Sequence, residues 1–164
     1  MLAPARRSPS CLACLFGLLL LLGSAPGAAA QSLDLAAGGY GLSLGDSERI
    51  RGVRLNVRDA RLRHVDGINA TVWTPKEPVR GVVHGLALGL PATGARRIDG
   101  LALGLFGVGA DEAMTGLAVG GVGAGAGGDL TGIVVGGVGG GAGGDLAGLG
   151  VGGVGLGAGG DLRG

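Results

Sequence analysis

Three aspartates at even intervals, Asp129, Asp145 and Asp161, are the residues whose type and spacing most invite chemistry. Each closes a Gly-Ala-Gly-Gly-Asp run, and Gly140 to Asp145 matches the opening Gly-Gly-x-Gly-x-Asp of calcium-binding nonapeptide repeats. Leu146 follows its aspartate directly, however, and the interval is 16 residues rather than the nonapeptide spacing. The simpler expectation is that each carboxylate accepts hydrogen bonds from backbone N–H groups in its turn. Stacked at strand spacing, the three would bring like charges within ~5 Å, where joint ionisation is disfavoured. On that ground Asp129, Asp145 and Asp161 stand as candidate cation ligands, with calcium the ion that the matching motif binds.

Arg49, Arg51, Arg54, Arg58, Arg61 and Arg63 place six arginines in fifteen residues. With Val53, Leu55 and Val57 taken as the inward set, Arg54 and Arg58 fall on the outward face of a strand. Such a coil is charged against edge-to-edge pairing, or it presents a surface for anions or polysaccharides. Aromatic interleaving of the kind that stacks nucleic-acid bases is missing, so no nucleic-acid partner is expected. Thr74-Pro75-Lys76-Glu77-Pro78 is predicted to protrude as a loop at a corner, because two prolines cannot both serve a central ladder. Trp73 is the chain's one tryptophan, and with Lys76, Arg54 and Arg58 it completes the predicted partner-contact set.

No catalytic constellation is present. His64 and His84 sit in a repeating framework, and Gly-x-Ser-x-Gly, His-Glu-x-x-His and phosphate-loop sequences are missing. Asp111 and Glu112 are adjacent and read as a solvated turn, while Asn69-Ala70-Thr71 is a formal glycosylation sequon. The reading is therefore of a protein that is not an enzyme and carries no resident cofactor.

The elements that position these residues begin after residue 30. Arg6 and Arg7, the apolar run Cys11 to Leu22 and the small residues Ala28-Ala29-Ala30 have the layout of a cleaved secretory signal peptide. That run is shorter than the ~20 residues of a spanning helix. Both cysteines, Cys11 and Cys14, would leave with it, which predicts a mature chain without disulfides or a stable membrane span. The expected location is secreted, cell-surface or periplasmic. Thirteen basic residues, two of them in the signal, stand against twelve acidic ones, so no bulk attraction to nucleic acid or membrane follows.

Beyond the signal the chain repeats. Aliphatic anchors recur at Ile50, Val65, Val83, Ile98, Met114, Leu130, Leu146 and Leu162, each followed two residues later by glycine, from Gly52 to Gly164. A glycine held at one place in every copy predicts positive φ or a close approach that a β-carbon would block. Period-two alternation, as in Leu101-Ala102-Leu103-Gly104-Leu105, predicts strands, and each repeat of about sixteen residues divides into an aliphatic half and a Gly-Ala half. One repeat then makes one flattened coil, stacked ~4.8 Å from the next. The fold expected is all-β, a glycine-rich β-solenoid over 50–164 after a lead-in or cap over 31–49. A disordered, elastic glycine-rich segment is the competing architecture, and the strict aspartate spacing argues against it.

The units Val65-Asp-Gly-Ile-Asn, Val83-His-Gly-Leu-Ala-Leu-Gly-Leu and Ile98-Asp-Gly-Leu-Ala-Leu-Gly-Leu resemble those of bacterial secreted surface-repeat proteins, across roughly residues 50–164. That resemblance implies export and display, and no reaction. The function expected is an exported structural or interaction repeat protein without catalytic activity, the alternative being a repeat module for cations or a surface ligand. Self-association or a surface partner is expected through the C-terminal coils. There, Ala118, Val134 and Gly150, and Gly120, Gly136 and Gly152, are predicted to form uncharged outward columns, and the last coil an open edge.

Overall fold

The computed structural model describes residues 33–37, 40–76 and 80–164; the signal-peptide reading and the Glu77-Pro78 part of the predicted loop lie outside them. The chain is a β-solenoid of about seven coils, some sixteen residues apart. Two strands, β1 (Leu33–Ala37) and β2 (Tyr40–Leu44), form an antiparallel hairpin at the N-terminal end. From β2 onward every pairing is parallel: β3 (Arg49–Asn56), β4 (His64–Thr71), β5 (Val82–Gly89), β6 (Ala92–Gly104) and β7 (Gly107–Gly120) stack in order. The later coils alternate between two faces. On the aliphatic face, β9 (Asp129–Gly136), β11 (Leu146–Gly152) and β13 (Leu162–Arg163) continue the ladder. On the Gly-Ala face, β8 (Gly123–Ala126), β10 (Gly139–Ala142) and β12 (Gly155–Ala158) continue the first halves of β6 and β7.

Register follows the repeat. The anchors Ile50, Val65, Val83, Ile98, Met114, Leu130, Leu146 and Leu162 stand directly above one another. The glycine two residues on is positive in φ from Gly52 (130°) to Gly148 (131°), and Gly41 already occupies the same column in β2. A β-carbon on Gly116 would lie 2.0 Å from the carbonyl oxygen of Gly100 one coil below, so both predicted reasons for glycine apply together.

The inward residues are the anchor, the fourth residue after it and the sixth. This reverses the predicted phase of β3: Arg54 is fully buried, while Leu55 and Val57 are 43% and 70% exposed. Arg58 is exposed but lies beyond the end of β3. The C-terminal columns are corrected in the same way, because Ala118 and Val134 are buried in the core, Gly150 is stacked above them, and Gly120 and Gly136 are buried as well. Apolarity misleads here because it is as strong on the outer positions as on the inner ones.

The core between the two faces is thin, and its volume is shared across it. Ala118, Val134 and Gly150 stack on the aliphatic face and Ala124, Gly140 and Leu156 on the Gly-Ala face, with Val134 opposite Gly140 and Gly150 opposite Leu156. A β-carbon on Gly150 would sit 2.2 Å from Leu156 Cδ1, and one on Gly140 would sit 3.2 Å from Val134 Cγ2. Where one face supplies a large side chain the other supplies none, which preserves close packing at constant sheet separation.

Before Ala92 the described residues opposite the aliphatic face are not strands, and polar groups fill the space. Arg54 donates to Asp46 Oδ1 (2.6 Å), Asn69 Oδ1 (2.7 Å), the Ser47 carbonyl (3.0 Å) and Asp59. Asp59 also accepts from Asn56 (2.9 Å), Asn69 (3.1 Å) and Thr71 (2.6 Å). Burial alone would raise the Asp59 carboxyl, but the Arg54 charge and the bonds from Thr71, Arg54 and Asn56 hold it below its ordinary value. The network is a polar plug at one end of an otherwise apolar core.

Candidate functional site

The outward positions of the aliphatic ladder make two continuous columns on the surface. The third residue after each anchor forms the column Val53, Ile68, Leu86, Leu101, Leu117, Ile133 and Leu149, begun by Leu42 in β2. The fifth forms a second column, Leu55, Ala70, Leu88, Leu103, Val119, Val135 and Val151, begun by Leu44. Neither holds a charge. At the adjoining corner Leu90, Leu105, Phe106, Val122, Val138 and Val154 are exposed, and Leu88, Leu90, Leu103, Leu105 and Val119 line an apolar depression of about 430 Å³. Seven ladder steps of ~4.8 Å make the strip ~34 Å long. Parallel sheets ordinarily have both faces covered, and among the described residues this one is covered on its inner face alone.

Beside the strip, the first residue after each anchor is charged or ionisable in the N-terminal coils, at Arg51, Asp66, His84 and Asp99, uncharged at Thr115, Thr131 and Ala147, and charged again at Arg163 in the last coil. Asp66 Oδ1 lies 2.9 Å from His64 Nε2 and 3.3 Å from His84 Nδ1, and His84 Nε2 lies 3.2 Å from Asp99. The two imidazoles meet edge to face at 5.0 Å. Desolvation works to raise the Asp66 carboxyl, but the hydrogen bond and charge of His64, with Arg51 and His84, outweigh it and hold the carboxyl low. Among the described residues His64, Asp66 and His84 are the group of three potential metal ligands whose ligand atoms lie within 4.8 Å of one another. Sequence spacing hides this cluster, since His64 and His84 are twenty residues apart and meet through β4–β5 register.

Asp129, Asp145 and Asp161 do stack at one corner, all exposed. The Asp145 N–H donates to Asp129 Oδ1 (2.9 Å) and the Asp161 N–H to Asp145 Oδ1 (2.8 Å). Asp129 and Asp145 thus serve the backbone of the next coil rather than their own turns. Asp161 also pairs with Arg163.

The predicted contact residues separate. Trp73, 58% exposed, and Lys76, also exposed, flank the Thr74-Pro75 bend, which lies outside the strands as expected. Arg54 belongs to the buried plug and offers no surface. Of the arginine-rich segment, Arg61 and Arg63 join Arg80 and Arg96 around a depression of about 360 Å³ that also includes Glu48. Asp46, Glu48 and Glu112 already pair with Arg61, Arg63 and Arg96, which leaves little net charge for an anion. Asn69 is buried with its side-chain amide bonded, so the sequon is closed in the folded coil. Asp111 and Glu112 are both exposed and lie within β7 rather than in a turn, at the register shift where they stand opposite Arg96 of β6. Among the described residues no helix is long and apolar enough to cross a membrane.

Comparison of the chain with protein-family models, curated proteins and solved structures finds no match.

Proposed function

We propose that this chain is an exported, non-catalytic structural repeat protein that works by lateral association of its copies through the bare face of the aliphatic ladder. The observation that carries the reading is the uncharged two-column strip running from Leu42 and Leu44 to Leu149 and Val151. About 34 Å long and ~13 Å wide, it offers ~450 Å² per copy, and the exposed corner adds to that, toward the ~800 Å² per partner of a standard interface. A second copy is the occupant that fits. Under an antiparallel two-fold centred on the strip, Arg51 and Asp66 of one copy meet Thr131 and Thr115 of the other and His84 meets Asp99, so no like charges are opposed.

Sedimentation velocity tests this. The parent chain is expected to dimerise or assemble further at tens of micromolar, and Leu149→Lys with Val151→Lys to give monomers. Gly157→Lys, on the open outer side of the Gly-Ala face, is the control expected to behave as the parent. A parent that is monomeric at tens of micromolar refutes the proposal. So does a strip that instead carries the chain to floating lipid vesicles while leaving it monomeric in solution.

A further inference from the structure

We propose that His64, Asp66 and His84 bind a divalent transition cation of the zinc class, with Asp99 as the residue that orients His84. This stands independently of the association reading, because it rests on the edge column and not on the apolar strip.

The geometry comes first. With metal–nitrogen and metal–oxygen distances of ~2.0–2.2 Å, neighbouring ligand atoms in a tetrahedral shell are about 3.3–3.5 Å apart. Asp66 Oδ1 is 2.9 Å from His64 Nε2 and 3.3 Å from His84 Nδ1, and all three ligand atoms lie within 4.8 Å of one another, so a cation fits among them once the two imidazoles close on it by rotation of side chains that are 35–48% exposed. The three residues are carried on the neighbouring strands β4 and β5, where ladder hydrogen bonds hold the backbones. A solvent water or two would complete the shell from the open side.

The placing of His84 between two carboxylates is the second, separate observation. His84 Nε2 faces Asp99 at 3.2 Å, and an N–H donated there leaves Nδ1 as a bare lone pair. That lone pair lies 3.3 Å from an Asp66 oxygen, two electron-rich atoms whose contact is favourable only with a cation between them. A proton can fill the place, giving imidazolium; so can a metal ion. The pairing Asp99–His84–cation repeats the general arrangement in which a carboxylate fixes the tautomer and direction of a metal-bound imidazole. His64 contributes in the same way once the proton on its Nε2 moves to Nδ1, so binding to the neutral rings needs only a tautomer change. Any imidazolium proton is released to solvent. Nitrogen and carboxylate donors without sulfur suit Zn²⁺, Cu²⁺ and Ni²⁺, while Mg²⁺ and Ca²⁺ prefer all-oxygen shells. Arg51, in the same column, pairs with Asp66, and Arg97, one residue before the anchor Ile98, pairs with Asp99; both are half exposed and able to swing aside.

The test is isothermal titration of the untagged full chain with Zn²⁺ alone near pH 7.5. One ion per chain, bound near micromolar, is expected, with Mg²⁺ and Ca²⁺ failing to compete. His64→Gln and His84→Gln should each weaken binding at least tenfold without moving the thermal midpoint, and Asp99→Asn about tenfold at unchanged stoichiometry. No saturable Zn²⁺ binding below a millimolar overturns the site. Binding that survives in both histidine variants overturns it equally, because the ion then sits elsewhere. An unaltered affinity in Asp99→Asn overturns the orienting role.

Discussion

Replacing Gly116 with alanine should damage the coil far more than the same change seven residues earlier. Gly116 has φ of +122°, and its β-carbon would lie 2.0 Å from the Gly100 carbonyl oxygen. Real β-carbons keep such contacts beyond about 3.0–3.4 Å, so more than an ångström of overlap must be relieved. The obstacle is ladder backbone, which cannot rotate away, and moving it opens the hydrogen bonds between β6 and β7. Strain at this φ costs about 1–3 kcal/mol, and the displaced ladder adds a hydrogen bond of ~1 kcal/mol, for a total of about 2–4 kcal/mol. For a chain of this size that lowers the thermal midpoint by roughly 5–15 °C. Gly109, by contrast, has no positive φ, and a β-carbon added to it would meet no atom within 4 Å. Gly109→Ala should be neutral or stabilising by about 0.4–1 kcal/mol, through loss of unfolded-state freedom. Thermal unfolding followed by circular dichroism at 218 nm, roughly where strands absorb, compares the two directly. If both variants melt within about 2 °C of the parent, the close-approach account of the glycine column is wrong.

Arg54→Leu should destabilise the N-terminal coils by about 3–5 kcal/mol, because it strands Asp46 and Asp59 without their buried partner; chemical denaturation measures it. The same plug makes the chain acid-sensitive. The Asp59 carboxyl, facing Arg54, Asn56, Asn69 and Thr71 and sharing Arg54 with Asp46, is held below the ordinary value of 3.8, so its contribution is complete above that value. It is lost as pH falls through the lower folded one. Stability should therefore decline from about pH 4 downward, and a parent whose stability is flat from pH 5 to pH 2 contradicts this. Across the thin core, Gly150→Val should be costly alone and largely rescued by Leu156→Ala, a coupling that a double-mutant cycle reads out.

The solenoid was legible in the chain because each coil meets the same local constraint, and a constraint repeated along the stack becomes a repeat in the sequence. The anchors from Ile50 to Leu162 and the glycines two residues after them needed no tertiary information, since each describes one coil against an identical neighbour. Which face points inward was decided by the tertiary structure alone. Leu55 and Leu149 are as apolar as Ile50 and Leu146, so alternation marks strands here without marking an inside. Arg54 looked solvated for the ordinary reason that an isolated arginine is too costly to bury. Its burial depends on Asp46, Asp59 and Asn69 arriving from different segments, which spacing does not encode. His64, Asp66, His84 and Asp99 likewise belong to successive coils of unequal length. They meet because a parallel ladder aligns residues by register, whatever number of residues the intervening corner contains.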